Sequence, residues 1–162
     1  QGASALNDAV RSALPALLER FDIAHLCGQG KLDEKRNNGQ GYCQFEYLND
    51  ELPDVFAAAE VALSRAGANS IFEFLALSLP ALLVPLPLAQ SRGDQIQNAE
   101  YFKKRGYADV LLQENMTEKT LVAALFRLYD KREEYRAKMD AEPNKNGLEA
   151  VLKQIVAAAE GR

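Results

Sequence analysis

The sequence has no tryptophan, one histidine (His25), two methionines and two cysteines, Cys27 and Cys43. These shortages exclude whole classes of chemistry. Two cysteines make no disulfide scaffold, and with a single histidine their spacing completes no zinc site. Both are expected as free thiols in a reducing compartment. His25 sits in an apolar segment without a nucleophile motif, so no Ser-His-Asp or Cys-His arrangement can be assembled around it. A satisfied core or edge histidine is the expectation. Basic surplus is also missing: 19 Lys plus Arg stand against 23 Asp plus Glu, a net charge of −4. General nucleic-acid binding, which draws on displaced phosphate counterions, is therefore not expected. The most apolar stretch, Phe74–Ala89, is short of a membrane span and is interrupted by Pro80, Pro85 and Pro87. Gln1–Arg11 lacks the apolar core of a signal peptide.

What remains is a globular chain of 162 residues, 48% apolar and 26% charged, large enough to bury a core without staples. Ala9, Val10, Ala13, Leu14, Leu17 and Leu18 recur at helical spacing and predict an amphipathic helix over Ser4–Arg20. Short apolar strands are expected at Ile23–Cys27, Val61–Ser64, Ala81–Val84 and Ala108–Leu112. A fifth, aromatic one is expected at Tyr42–Glu46. Asn37-Asn38-Gly39 supplies turn chemistry. Helices are expected from a cap near Asp50 to Ala59, over Ile71–Ser78 with Asn69 or Ser70 as cap, and from Gly93 or Asp94 to Arg105. Gly106 stops that last helix, and Thr117 caps another running to about Tyr129. Lys131–Ala141 reads as a charged helix with a solvated face, and Leu148–Ala159 as a last amphipathic helix. Tyr101, Phe102, Tyr107 and Phe126 are expected to pack in the core.

Strands and helices alternate, and the strands are uniformly apolar, as parallel strands covered on both faces are. The expected fold is α/β, a Rossmann-like doubly wound parallel sheet. Every later helix of the alternating series has a strand before it, but the first does not. Gln1-Gly2-Ala3 reads as the tail of a glycine-rich turn, so the first strand is expected to be missing from a fragment of a longer protein.

Ligands of open α/β sheets bind beyond the carboxyl ends of the strands. Three segments fall there. Gly2-Ala3-Ser4 opens the first helix, whose free N–H groups favour an anion; an ordinary helix start is the competing reading. Arg65–Glu73, RAGANSIFE, joins a strand end, a glycine, a helix N-terminus and an arginine, the parts of an anion site. Glu73 there either accepts bonds from a ribose diol, as an acidic residue does in dinucleotide sites, or forms a surface ion pair with Arg65. Ser91–Ala99, SRGDQIQNA, places Asp94 and Gln95 at a helix start, where they either hold sugar hydroxyls or, for Asp94, merely cap the helix.

These strings carry a resemblance. QGASALNDAV resembles the end of the GGSxGA loop and following helix of MurG-type N-acetylglucosaminyltransferases. FEYLNDELPDVFAAAEVALSRAGANSIFEFLALSLPALLVPL and SRGDQIQNAEYFKKRGYADVL are similar to that family's nucleotide-sugar region. The resemblance runs from Gln1 to about Leu128 and more loosely to the end. It implies a GT-B glycosyltransferase of two Rossmann-like domains, of which residues 1–162 would be the C-terminal, UDP-GlcNAc-binding one. The family transfers GlcNAc, with inversion and without a metal or other cofactor, to lipid I to make lipid II for peptidoglycan, at the cytoplasmic face of the cell membrane. The resemblance further implies that Glu73 holds the ribose hydroxyls and that backbone at Leu48 and Asn49 contacts uracil. Gly2 and Ala3 would lie by the diphosphate, close to the N-terminus of the Ala68 helix. Asp94 and Gln95 would hold GlcNAc hydroxyls, although some members carry glutamine at position 94.

The GGS stretch, the first strand and the acceptor domain are absent from the chain. Catalytic residues and the membrane-docking surface are expected on that N-terminal domain, and the chain alone is expected to be inactive. Two other readings stay open here. One is the donor domain of a related glycolipid or dolichol-linked glycan transferase. The other is a non-catalytic α/β interaction module.

Overall fold

The computed structural model describes residues 4–36, 39–143 and 145. The elements run α1 (Ser4–Leu17), β1 (Ile23–Leu26), β2 (Tyr42–Phe45), α2 (Leu52–Ala58), β3 (Ala62–Ser64), α3 (Ala68–Leu77), β4 (Ala81–Leu83), α4 (Asp94–Arg105), β5 (Ala108–Val110), α5 (Glu118–Asp130) and α6 (Arg132–Asp140), with short 3-10 turns at Leu88–Gln90 and Gln113–Asn115. All strand pairs are parallel. The expected helix at Leu148–Ala159, and Asn37 and Asn38 of the expected turn, lie outside the described residues. Cys27 and Cys43 are both free thiols.

β4 shows why the strands are apolar throughout. Leu82 is fully buried against α1 and α5, in a cluster with Val10, Leu121, Leu125 and Leu128. Its neighbours Ala81 and Leu83 point the other way, into a cluster built from α3 and α4 with Phe74, Phe102 and Tyr107. Helices therefore cover both faces. Phe21, just after α1, meets Phe126 and Tyr129 of α5 edge-on at 5.6 and 5.4 Å between centroids.

Helix ends follow local chemistry in most places. Gly106, at φ 75°, closes α4 with its N–H on the Lys103 carbonyl. Thr117 caps α5 in a reciprocal pair with Thr120. α3 is the exception. It begins at Ala68 on Gly67, three residues before the expected start, with no side-chain cap from Asn69 or Ser70. Those residues lie inside its first turn, and the Gly67 carbonyl takes the first helical bond from the Ile71 N–H. Tyr101 also departs from expectation. It is half exposed, lying edge-on to Phe102 with the Arg105 guanidinium 5.5 Å from its ring centroid.

The sheet comes in two pieces, β1-β2 and β3-β4-β5. β1 and β3 are not hydrogen-bonded to each other. The break falls beside α1, where a strand was expected ahead of that helix.

Candidate functional site at the carboxyl rim

Three strands, β2, β3 and β4, lead at their carboxyl ends into segments singled out from the sequence. β2 opens into the loop with Leu48 and exposed Asn49, whose carbonyl receives the Leu52 N–H (3.2 Å) as α2 starts. β3 ends at Ser64, followed by Arg65, Ala66, Gly67 and the N-terminus of α3. β4 leads through the proline loop to Gly93, Asp94 and Gln95 at the N-terminus of α4. Two helix starts thus open on one rim, each presenting backbone N–H groups and the positive end of a helix dipole. Gly2 and Ala3 lie outside the described residues.

The rim is held together by side chains that span these loops. Asn98 of α4 donates from Nδ2 to the Ala66 carbonyl (3.0 Å), locking the α4 start to the loop ahead of α3. Gln95 Oε1 accepts the Leu86 N–H (3.1 Å), which fixes the proline loop and leaves the Gln95 amide NH2 to donate elsewhere. Ser91 Oγ donates toward the Leu86 and Pro87 carbonyls (3.3 Å each) and receives the Gly93 N–H. Gly93 itself sits at φ 88°, and a Cβ there would come within 3.0 Å of Leu88. Arg65 donates to the Val84 carbonyl (3.0 Å) and to Gln113 Oε1 (2.7 Å), so its guanidinium bridges the ends of β3 and β4 to the turn after β5. Burial lowers its pKa from the usual arginine value. Gly67 has open space where a Cβ would stand, so the α3 start is sterically accessible.

Arg65 and Glu73 line one cleft of about 1000 Å³, to which β1, β3, α1, α2 and α3 contribute. Glu73, in the second turn of α3, is exposed. Leu48, Asn49, Asp94 and Gln95 share the rim but do not line that cleft.

Sequence reasoning missed Asn98, Gln113 and a polar cluster beneath the rim. Asn7 and Arg11, one turn apart on α1, reach β1 and β2. Asn7 Nδ2 donates to the Cys27 carbonyl (2.8 Å), and its Oδ1 meets His25 Nε2 (3.1 Å). His25 Nδ1 meets the Tyr42 hydroxyl (2.9 Å). Arg11 donates to the Lys31 carbonyl (2.5 Å) and to Gln44 Oε1 (3.2 Å). Gln44 Nε2 in turn donates to the Asp33 and Arg36 carbonyls (3.2 and 2.6 Å), pinning the loop after β1. The signal available was an i, i+4 polar pair on an otherwise apolar helical stripe.

His25 is thus the satisfied core histidine expected from the sequence. Burial, helped by the nearby Arg11 charge, lowers its pKa to about 4 from 6.5. The unfolded chain therefore takes up a proton on His25 that the folded chain refuses between those values. Stability is expected to be level above about pH 6.5 and to fall as pH drops from 6.5 toward 4. Urea titrations across that window check it: in His25→Gln this part of the pH slope should vanish, and an unchanged slope would refute the assignment.

Comparison with known proteins places this arrangement. Residues 1–155 match the glycosyltransferase family 28 C-terminal domain. The chain is 49% identical over 154 residues to the UDP-N-acetylglucosamine–N-acetylmuramyl-(pentapeptide) pyrophosphoryl-undecaprenol N-acetylglucosamine transferase of Geobacillus thermodenitrificans, covering 95% of this chain and 43% of the relative. It is 47% identical over 154 residues to the like-named protein of Lachnospira eligens, covering 95% of this chain and 44% of that one. The chain thus spans less than half the length of these relatives. Among solved structures it superposes on MurG of Acinetobacter baumannii with a TM-score of 0.71 at 27% identity, covering 94% of this chain and 46% of that one. The glycotransferase of kitacinnamycin, at 18% identity, shares the fold with a TM-score of 0.64 over 91% of this chain and 38% of its own. Parallel strands with helices on both faces, two helix starts on one rim and a family match spanning nearly every residue lead to one assignment: the chain belongs to glycosyltransferase family 28, as its C-terminal domain.

Proposed function

We propose that residues 1–162 form the donor-binding domain of an inverting transferase. The whole protein would move GlcNAc from UDP-GlcNAc to a lipid-linked muramoyl-peptide acceptor, the step that makes lipid II. The observation that carries this reading is the 49% identity, across 95% of the chain, to a transferase whose name states that donor sugar and that acceptor. The acceptor would be bound by an N-terminal domain, which would also supply the catalytic base and the contact with the inner face of the cell membrane. Among the described residues no helix is long and apolar enough to cross a membrane; the proposed attachment is peripheral. The chain alone is expected to be inactive.

The chemistry asked of this half is stabilisation of a departing nucleoside diphosphate. Charge develops on the diphosphate as the sugar carbon is attacked, and preorganised N–H donors can meet it without reorganising. The backbone N–H groups of Gly2 and Ala3, ahead of α1, and those at the start of α3, at Gly67-Ala68, are the proposed donors. Arg65, held by Val84 and Gln113, would add positive charge from a fixed position. Backbone at Leu48 and Asn49 would read uracil. Glu73 would accept two bonds from the ribose diol, and its exposure on α3 leaves it available. Asp94 and the free NH2 of Gln95 would hold sugar hydroxyls.

Calorimetry of UDP-GlcNAc on the full-length protein tests the proposal. Glu73→Ala should weaken binding about tenfold to a hundredfold, the equivalent of about 1.4–2.7 kcal/mol. Glu73→Gln, which keeps one acceptor, should lose less. Equal affinities in all three proteins would remove the ribose assignment. Absence of UDP-GlcNAc binding by the unmutated full-length protein would remove the donor assignment itself.

A further inference from the structure

The Arg65 guanidinium is held at the rim by two uncharged acceptors of the described chain. Its Nη1 donates to the Val84 carbonyl (3.0 Å) and its Nη2 to Gln113 Oε1 (2.7 Å). Arg65 directly follows β3, Val84 directly follows β4, and Gln113 opens the short turn after β5. One side chain therefore stitches the carboxyl ends of three neighbouring strands. The chain just ahead of Gln113 is itself fixed, because the Leu111 N–H donates to the Leu83 carbonyl (3.0 Å). Gln113 thus approaches Arg65 from an anchored backbone.

The chemistry of the second tie is specific. A carboxylate would hold a guanidinium more tightly than an amide does, through shorter charge-assisted bonds. One stands next door: Glu114 follows in the same turn and is exposed, whereas half-buried Gln113 is the residue turned onto Arg65. An ion pair would fix the guanidinium and also cancel much of its field toward any other anion. An amide oxygen fixes it and leaves the charge. Burial lowers the Arg65 pKa, yet an arginine stays protonated at neutral pH. A fixed, partly desolvated cation acts on an anion more strongly than a hydrated, mobile one.

We infer that Gln113 is a positioning residue for nucleoside-diphosphate binding: its neutral amide aims the Arg65 guanidinium at the diphosphate without neutralising it. This rests on the proposed donor assignment, in which Arg65 meets that diphosphate. Gln113 acts through Arg65, so its effect scales with the charge of the ligand. UDP should feel it and uridine should not.

Two near-isosteric substitutions in the full-length protein separate holding from charge. Gln113→Glu keeps an acceptor oxygen at the same reach and turns the tie into an ion pair. Gln113→Met keeps the length of the side chain and removes the acceptor. UDP affinity is measured by calorimetry, uridine affinity by NMR shift titration and folding by a thermal scan. In Gln113→Glu the Tm should match or exceed that of the parent. Its UDP affinity should fall at least about tenfold, while uridine affinity holds within about twofold. In Gln113→Met the UDP affinity should fall about threefold to tenfold as the guanidinium loses its fixed direction, again with uridine unchanged. A merely structural tie gives the reverse in Gln113→Glu, because the stronger bond would hold the rim at least as well and leave UDP binding intact. That result overturns the inference and leaves the donor assignment standing. An equal loss for UDP and uridine in either variant does the same, since it would report a collapsed rim. Should Gln113→Glu fail to fold, Gln113→Met decides, and parent-like UDP affinity there overturns the inference. Absence of UDP binding by the parent protein would remove the donor assignment and this role of Gln113 together.

Discussion

Replacing Phe102 by alanine is expected to cost about 3–5 kcal/mol of stability. Phe102 is 2% exposed. It is the hub of an aromatic group, edge-on to Phe72, Tyr101 and Tyr107 at 5.8, 6.0 and 5.7 Å between centroids. Two of those partners, Phe72 and Tyr101, are themselves exposed, so the ring is what closes the α3–α4 face over β4. Its loss leaves a void bounded by helices whose positions are fixed by Gly106 and Asn98, so little collapse can compensate. At this chain length each kcal/mol corresponds to about 2–4 °C in Tm, and a drop of the order of 10 °C should appear in a thermal scan. A fall of under about 1 kcal/mol in urea unfolding would mean the face repacks freely.

Leu82→Ala tests the opposite face and should cost about 2–5 kcal/mol. Leu82 is fully buried in the central strand of the β3-β4-β5 piece, against Val10 of α1 and Leu121, Leu125 and Leu128 of α5. It thus holds α1 to the sheet, although the sheet is broken next to that helix. The two substitutions lie on opposite sides of β4, in clusters that share no member. Their costs should therefore add to within about 0.5 kcal/mol in the double variant. Chemical denaturation of the three variants measures this directly. Strong non-additivity would show that the layers respond as one unit through the strand.

Much of the fold was legible because period and punctuation are local properties. β4 reads as apolar at every position and is buried at every position, as a strand covered on both faces must be. Thr117 and Gly106 mark helix ends whose chemistry lies within four residues. Legibility failed where distant groups decided. Asn69 and Ser70 are good caps in isolation, yet α3 starts earlier on Gly67, where nothing crowds the backbone. Tyr101 looks like a core aromatic but covers Phe102 from outside, under Arg105. Arg65 read as the arginine of an anion site or as a surface partner of Glu73, and nothing local showed that its guanidinium spans to Val84 and Gln113, the latter 48 positions away.

The order of strands and helices, the parallel sheet and the position of Arg65–Glu73 and Ser91–Ala99 after their strands were determined by the sequence alone, because apolar period, capping residues and glycines act over one or two turns. Tertiary structure alone decided which polar side chains became ties: Asn98 to Ala66, Gln95 to Leu86, Asn7 and Arg11 to the first two strands. It also decided that the unpaired edges of β1 and β3 face one shared cleft. Hydrogen-bond partners far apart in the chain leave no periodic trace, so only the assembled layers reveal them.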